Sequence, residues 1–104
     1  MAADQKPPSE ARKIERVPFT EHLRVLKPAL QHGTASDVSA FGIGITVPQP
    51  IAEGTQVELE LFGGSIFVKG TVRKVMPGVR GHRLGIEFLQ EQPMVLTKAK
   101  ASKH

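Results

Sequence analysis

Cysteine, tryptophan and tyrosine are all missing from this chain of 104 residues. Without cysteine there is neither a disulfide nor a thiolate metal site, which fits a reducing cytoplasm. The four histidines (His22, His32, His82 and His104) show no paired ligand spacing, so no metal is expected. No apolar run approaches membrane-spanning length, and the amino terminus lacks the apolar core of a signal peptide. The expectation is a cytoplasmic protein with no membrane span. Catalytic patterns are missing as well. No serine sits in a recognisable His/Asp arrangement, no carboxylate pair is placed for acid/base work, and no glycine-rich loop opens a helix. The chain does not read as an enzyme.

Excess charge is also missing from the body of the chain. The formal charge of +4 arises at the ends, where residues 1–16 carry four basic and three acidic side chains and residues 98–104 carry three lysines. Residues 17–97 hold seven of each sign. A protein that coats nucleic acid usually has positive charge in excess on its folded surface. A neutral body points instead to a small anionic ligand or a protein partner, and away from long nucleic acid.

What is present is a succession of alternating apolar runs, the period of half-buried strands. Residues 1–11 are polar, contain Pro7-Pro8 and read as a flexible arm. From Val17, the residues Val17, Phe19, Leu23 and Val25 share one parity against Thr20, His22 and Arg24, and Pro28 limits this strand. Gln31 to Asp37 is weakly patterned and reads as a short strand leading into a turn. Ile43, Ile45 and Val47 alternate up to the breakers Pro48 and Pro50. Val57, Leu59 and Leu61 form the clearest strand, followed by Gly63-Gly64 as a tight hairpin turn. Ile66, Val68 and Val72 continue beyond it, with Gly70 at the same parity suggesting a bend or bulge. Pro77-Gly78 reads as another turn before Leu84, Ile86 and Phe88. Glu91 to Lys98 suits a short helix around Met94, Val95 and Leu96, ahead of a disordered basic tail.

Six strands with apolar residues on one face require a closed or folded-over sheet to bury that face. The chain is long enough for one core and too short for two. The expected fold is therefore all-β, a small six-stranded antiparallel barrel. Residues 1–16 form its arm, 17–90 the barrel, and 91–104 a short helix and tail.

Two short patterns stand out against this background. Arg12-Lys13-Ile14-Glu15-Arg16 reads R-x-x-x-R, and Asp37-Val38-Ser39-Ala40-Phe41-Gly42 reads D-x-S-x-x-G. Each has an ordinary explanation when taken alone. The arginines suit a solvated arm, and Asp37-x-Ser39 suits an Asx-turn bonded to local backbone. Gly42 suits the turn into the next strand. Arg73, Lys74, Arg80 and Arg83 either line a site or, the favoured reading, interleave with apolar residues on the outer face, and Phe41 reads as a core or rim residue.

Taken in order, followed by evenly spaced strands and accompanied by Val17-Pro18-Phe19 and Gly85-Ile86-Glu87-Phe88, the two patterns resemble the signature of PilZ domains, bacterial receptors for cyclic di-GMP. The resemblance runs from Arg12 to Phe88 and implies the same small barrel. It implies cyclic di-GMP as ligand, with Arg12 and Arg16 on phosphate and guanine, Asp37 and Ser39 on the donor edge of guanine, and Gly42 shaping the turn. The chemistry suits those residue types. A planar guanidinium makes paired hydrogen bonds to phosphate oxygens or to guanine O6 and N7. Two side chains spaced by two in an extended segment share one face. Gly42 either lets backbone approach the ligand or takes a positive φ.

The chain departs from the family in lacking the tryptophan often found near a guanine, at a place filled by Lys74 or Val75. A lost stacking ring weakens binding by roughly 1–3 kcal/mol. The position before Arg12 bears on stoichiometry in the family, and Ala11 there offers no second platform. The resemblance thus implies a stand-alone receptor that orders its arm on binding and signals to an unidentified effector protein in trans. The alternatives are a PilZ-like adaptor that binds no nucleotide, or a small-barrel binder of single-stranded nucleic acid. The latter would want exposed aromatics, whereas Phe19, Phe62, Phe67 and Phe88 lie in strand or hairpin runs where core placement is expected.

Overall fold

The computed structural model describes residues 15–101. Its strands are β1 (Arg16–Lys27), β2 (Gln31–Ser39), β3 (Gly42–Val47), β4 (Gln56–Leu61), β5 (Ile66–Gly78) and β6 (Gly81–Phe88), followed by helix α1 (Pro93–Ala101). β1–β3 form one antiparallel meander and β4–β6 a second. β3 pairs with β6 and β1 with β4, closing the barrel in the order β1-β2-β3-β6-β5-β4. The fold is the expected six-stranded antiparallel barrel with a short carboxy-terminal helix.

The alternating apolar residues turn inward, where Val25, Ile43, Val47, Leu59, Leu61 and Val72 are completely buried. Each aliphatic side chain so buried contributes roughly 1.5–3 kcal/mol, so the core dominates stability. In β1 the next inward parity after Phe19 falls on Glu21. There the ladder to β2 shifts register between Pro18 and Glu21, and the carboxylate stays half-buried at the surface.

Two further shifts shape the outer surface. In β2 the pairing with β3 slips between Ala35 and Asp37, making Ser36 an extra residue. Gly33 and Ala35 point inward, so uninterrupted alternation would bury Asp37. The bulge resets the phase, and Val38 turns inward instead. In β5 the pairing with β6 slips between Val72 and Lys74. Val68, Gly70 and Val72 point inward, and the extra Arg73 leaves Arg73 and Lys74 both exposed.

Several local features differ from expectation. The bulge of β5 lies at Arg73 and not at Gly70, which stays in register. A Cβ on Gly70 would lie 2.6 Å from Ile86 Cγ2, so this glycine permits close packing of β5 on β6. The β4–β5 connection is a 3-10 turn at Phe62–Gly64, with Phe62 at φ 54°, and not a tight two-glycine turn. The Phe62 ring packs on Phe19 at 5.5 Å and lies 5.3 Å from Lys98 Nζ. Pro77 and Gly78 belong to β5, pairing with His82 and Gly81, so the hairpin turns at Val79-Arg80. Asp37 and Ser39 lie inside β2, which continues past the expected turn. Phe67 is 62% exposed, because the inward parity of β5 there belongs to Val68.

Helix α1 starts at Pro93, whose fixed φ and missing N–H suit a first helical turn. Val95 and Ala99, one turn apart, are fully buried against β1 and β2, while Met94 is 62% exposed.

The β1–β4 seam that closes the barrel pairs Arg24 with Glu60 and Val25 with Leu59. Arg24 Nε donates to Glu60 Oε1. This hydrogen bond, with the charge of the guanidinium, holds the Glu60 carboxyl below its ordinary value of 4.5, against an opposing effect of desolvation. A carboxyl lowered in the folded state stabilises the fold above its unfolded value and loses that contribution as pH falls through the folded one. Denaturant unfolding followed from pH 7 to below about 4 should therefore show acid destabilisation that is smaller in Glu60→Gln. An unchanged pH profile in that variant would show that the seam does not depend on this pair.

Candidate functional site

Arg16 opens β1 on the outward parity set by Val17 and Phe19, directly across from Ser39. The β2 bulge turns Asp37 outward, and Ser39, two residues on, shares its face. The Arg16 guanidinium reaches both. Nε and Nη2 donate to the two Asp37 carboxylate oxygens at 3.2 and 3.3 Å, and Nη1 donates to Ser39 Oγ at 3.3 Å. This fork-on-carboxylate geometry is specific in orientation. The Arg16 and Asp37 side chains are 45% and 38% exposed, so the pair contributes about 0–1 kcal/mol to stability. Its role is to hold a guanidinium in place, not to hold the fold together.

Ser39 is 1% exposed, and its hydroxyl oxygen also accepts from the N–H groups of Phe41 and Gly42, both at 3.1 Å. The local backbone role expected of this residue type and the contact to Arg16 thus coexist. Gly42 does not have a positive φ. A Cβ there would lie 2.5 Å from the Ile86 carbonyl oxygen, so the close approach it permits is to β6.

Gly44 on β3 pairs with Gly85 on β6, placing two residues without side chains next to each other on the outer face. They floor a shallow groove made of two adjoining depressions of about 260 and 240 Å³ that share Arg16 and Gly85. The first is walled by Asp37, Lys74, Met76 and Arg83, the second by Ser39, Phe41 and Glu87. A Cβ on Gly44 would lie 2.6 Å from Asp37 Oδ1, so a side chain there would dislodge the carboxylate that holds Arg16.

The charges around the groove are unequally matched. Arg73 donates from Nε to Glu87 Oε1 at 2.6 Å, whereas Lys74 and Arg83 make no ion pair among the described residues. At the foot of β1, Glu15 is bound to Lys100 of α1 at 2.7 Å. Among the described residues no three His, Asp or Glu side chains converge as a metal site requires. Among them, too, no helix is long and apolar enough to cross a membrane.

Of the residues singled out in the sequence, Arg16, Asp37 and Ser39 come together in direct contact, with Gly42 beside them in the groove wall. Arg12 lies outside the described residues. Lys74 lines the groove while Val75 turns partly inward. Sequence reasoning missed Gly44 and Gly85 as the floor and favoured a plain outer-face place for Arg83, which walls the groove; Phe41, expected in the core or at a rim, is 45% exposed at the groove wall. A signal for the first two was available: glycines on the outward parity in mid-strand mark close backbone approach or an open surface.

The family model for the PilZ domain matches residues 10–99. No curated protein matches the chain in sequence. Among solved structures, the Bacillus subtilis inhibitor of motility MotI/DgrA is similar at a TM-score of 0.68 and 11% identity, covering 85% of this chain and 47% of that one. The PilZ domain of Escherichia coli YcgR, solved with c-di-GMP, is similar at a TM-score of 0.62 and 16% identity, covering 86% of both chains. YcgR from E. coli in complex with c-di-GMP is similar at 0.60 and 16%, covering 86% of this chain and 43% of that one. The chain thus spans about half the length of two of these three proteins.

The glycines of the groove separate by experiment. Gly42→Ala should destabilise the barrel by about 1–3 kcal/mol, the usual cost of overpacking, because its Cβ would meet fixed backbone. Gly85→Ala should melt like the parent, since its Cβ would stand 3.5 Å from Lys74 Cβ, an ordinary contact. Thermal denaturation of both variants checks this, and equal melting temperatures for the two would contradict the packing argument.

Proposed function

The chain belongs to the PilZ domain family, and from that we propose that it is a receptor for cyclic di-GMP, bound in the groove over β2, β3 and β6. The observation that carries this reading is the Arg16 guanidinium, fixed by Asp37 and Ser39 above a floor of Gly44 and Gly85. Three of its five N–H groups are engaged by those partners. The remaining donors face no acceptor among the described residues and suit a phosphate oxygen or a guanine edge. A floor of bare backbone accepts a flat purine ring. Lys74 and Arg83 supply unmatched positive charge at the wall. Arg12 joins from the segment ahead of β1, which orders over the ligand, and the newly formed surface is read by a partner protein in trans.

A second reading has its own observation. The Arg16–Asp37 pair satisfies both motif residues within the protein, as in an adaptor of this fold that binds no nucleotide. Calorimetric titration with cyclic di-GMP decides between them.

Arg16→Ala should weaken cyclic di-GMP binding by roughly 1.5–3 kcal/mol, the worth of charge-assisted contacts, with the melting temperature nearly unchanged. Unaltered affinity in that variant would remove the assignment. Calorimetry should also return one cyclic di-GMP per chain, since Ala11 provides no guanidinium on which a second guanine could stack. A ratio of two would assign that platform elsewhere. NMR relaxation should show residues 10–14, ahead of the strand that already holds Arg16, becoming ordered on addition of ligand; a segment equally rigid before and after would sink the switch.

A further inference from the structure

Three of the described arginines are matched by carboxylates: Arg16 by Asp37, Arg24 by Glu60 and Arg73 by Glu87. Arg80 and Arg83 have no such partner among the described residues, and both line the same cleft. It lies at the end of the barrel away from α1, between the tip of the β5–β6 hairpin and the outer face of β1 and β2. His22 and His32 form its other side, Pro48 lies between, and no aspartate or glutamate lines it. Its volume is about 590 Å³, more than twice that of either half of the groove.

A single hydrated arginine on a surface is ordinary. Two that converge on an open concavity lacking any carboxylate are different, because a cleft of one sign concentrates the field and draws opposite charge. The rest of the lining narrows the kind of anion. No phenylalanine lines the cleft, and its rings are two imidazoles, the smallest of the aromatic platforms on which a nucleobase stacks. At its rim Val79 is 100% exposed, the most exposed of the large apolar side chains among the described residues. Nothing in the packing of a free hairpin requires an apolar residue at its tip. Arginine beside apolar surface is the composition of protein interfaces.

We propose that this cleft docks an extended acidic segment of a partner protein. Its carboxylates meet Arg80 and Arg83, and an apolar side chain lies against Pro48 and Val79. This deepens the receptor reading by naming the surface that meets the effector, and it rests on that reading only for the partner's existence.

The test uses the full chain and a short fluorescein-labelled peptide of alternating glutamate and leucine, followed by fluorescence polarisation. Controls are the same peptide with glutamine in place of glutamate and a single-stranded oligothymidylate of equal charge. Binding of the glutamate peptide alone is expected, reduced about fivefold or more, the loss of a contact worth about 1 kcal/mol, in Arg80→Glu and in Val79→Asp. Both positions are exposed hairpin-tip residues, so melting temperatures should match the parent. Failure of the glutamate peptide to bind, equal binding by either control, or indifference to both substitutions would overturn the proposal. Cyclic di-GMP titration of the same proteins keeps the two readings apart. Peptide binding without nucleotide binding sinks the receptor reading alone, and nucleotide binding without peptide binding sinks the docking surface alone.

Discussion

A strand in a closed barrel has one inside and one outside, and the core fixes which residues go where. Everything that reaches the groove from β2 and β5 depends on a reset of that phase. At Ser36 the extra residue lets Ala35 and Val38 both point inward, which leaves Asp37 and Ser39 on the outer face. At Arg73 a second reset turns Arg73 and Lys74 outward together, one toward Glu87 and the other toward the groove. Without these bulges the same apolar residues could not be buried while the same polar ones face out. The charged site is therefore a by-product of how two strands keep their register with the core.

The core and the charged outer surface draw on separate sets of residues. The inward set, from Val17 to Ala99, is closely packed and almost wholly apolar; among the described residues Ser39 is the one buried polar residue, and its hydroxyl is satisfied by backbone and Arg16. The outward set is joined by ion pairs, and those exposed on both sides, Arg16–Asp37, Arg73–Glu87 and Glu15–Lys100, are worth little to the fold. Arg16 can thus be held firmly in orientation while contributing little to folding. The glycines connect the two sets. Gly42 and Gly70 let β3 and β5 press against β6, and Gly44 and Gly85 leave open the space that this pressing creates.

Much of the barrel was legible because period-two alternation is local. The runs at Val17–Val25, Ile43–Val47, Val57–Leu61, Ile66–Val72 and Leu84–Phe88 needed only neighbouring residues to be read. What escaped was set by partners distant in sequence. The bulge at Arg73 is defined against Gly85 across the ladder, so Gly70, a glycine at the right parity, drew attention in its place. Pro77-Gly78 looked like a turn because both residues favour one, yet pairing with His82 and Gly81 keeps them in the strand and moves the turn to Val79-Arg80. Phe67 followed from hydrophobicity alone into the core, although its parity sends it out. Arg16, Asp37 and Ser39 were legible through a family resemblance, whereas the groove floor needed the β3–β6 register that sets Gly44 beside Gly85.

That floor has an evolutionary side. Its shape comes from two hydrogens where every other amino acid has carbon, so variation there runs in one direction only. Any replacement adds atoms, at Gly44 against the carboxylate of Asp37 and at Gly85 into the open space above Lys74. Change in the width or charge of the groove must therefore come through the walls, where Phe41, Lys74, Met76 and Arg83 are exposed and lie outside the core. Drift at the base removes the groove altogether. Descendants of this chain should diverge in preference at the rim and lose the site outright at the floor.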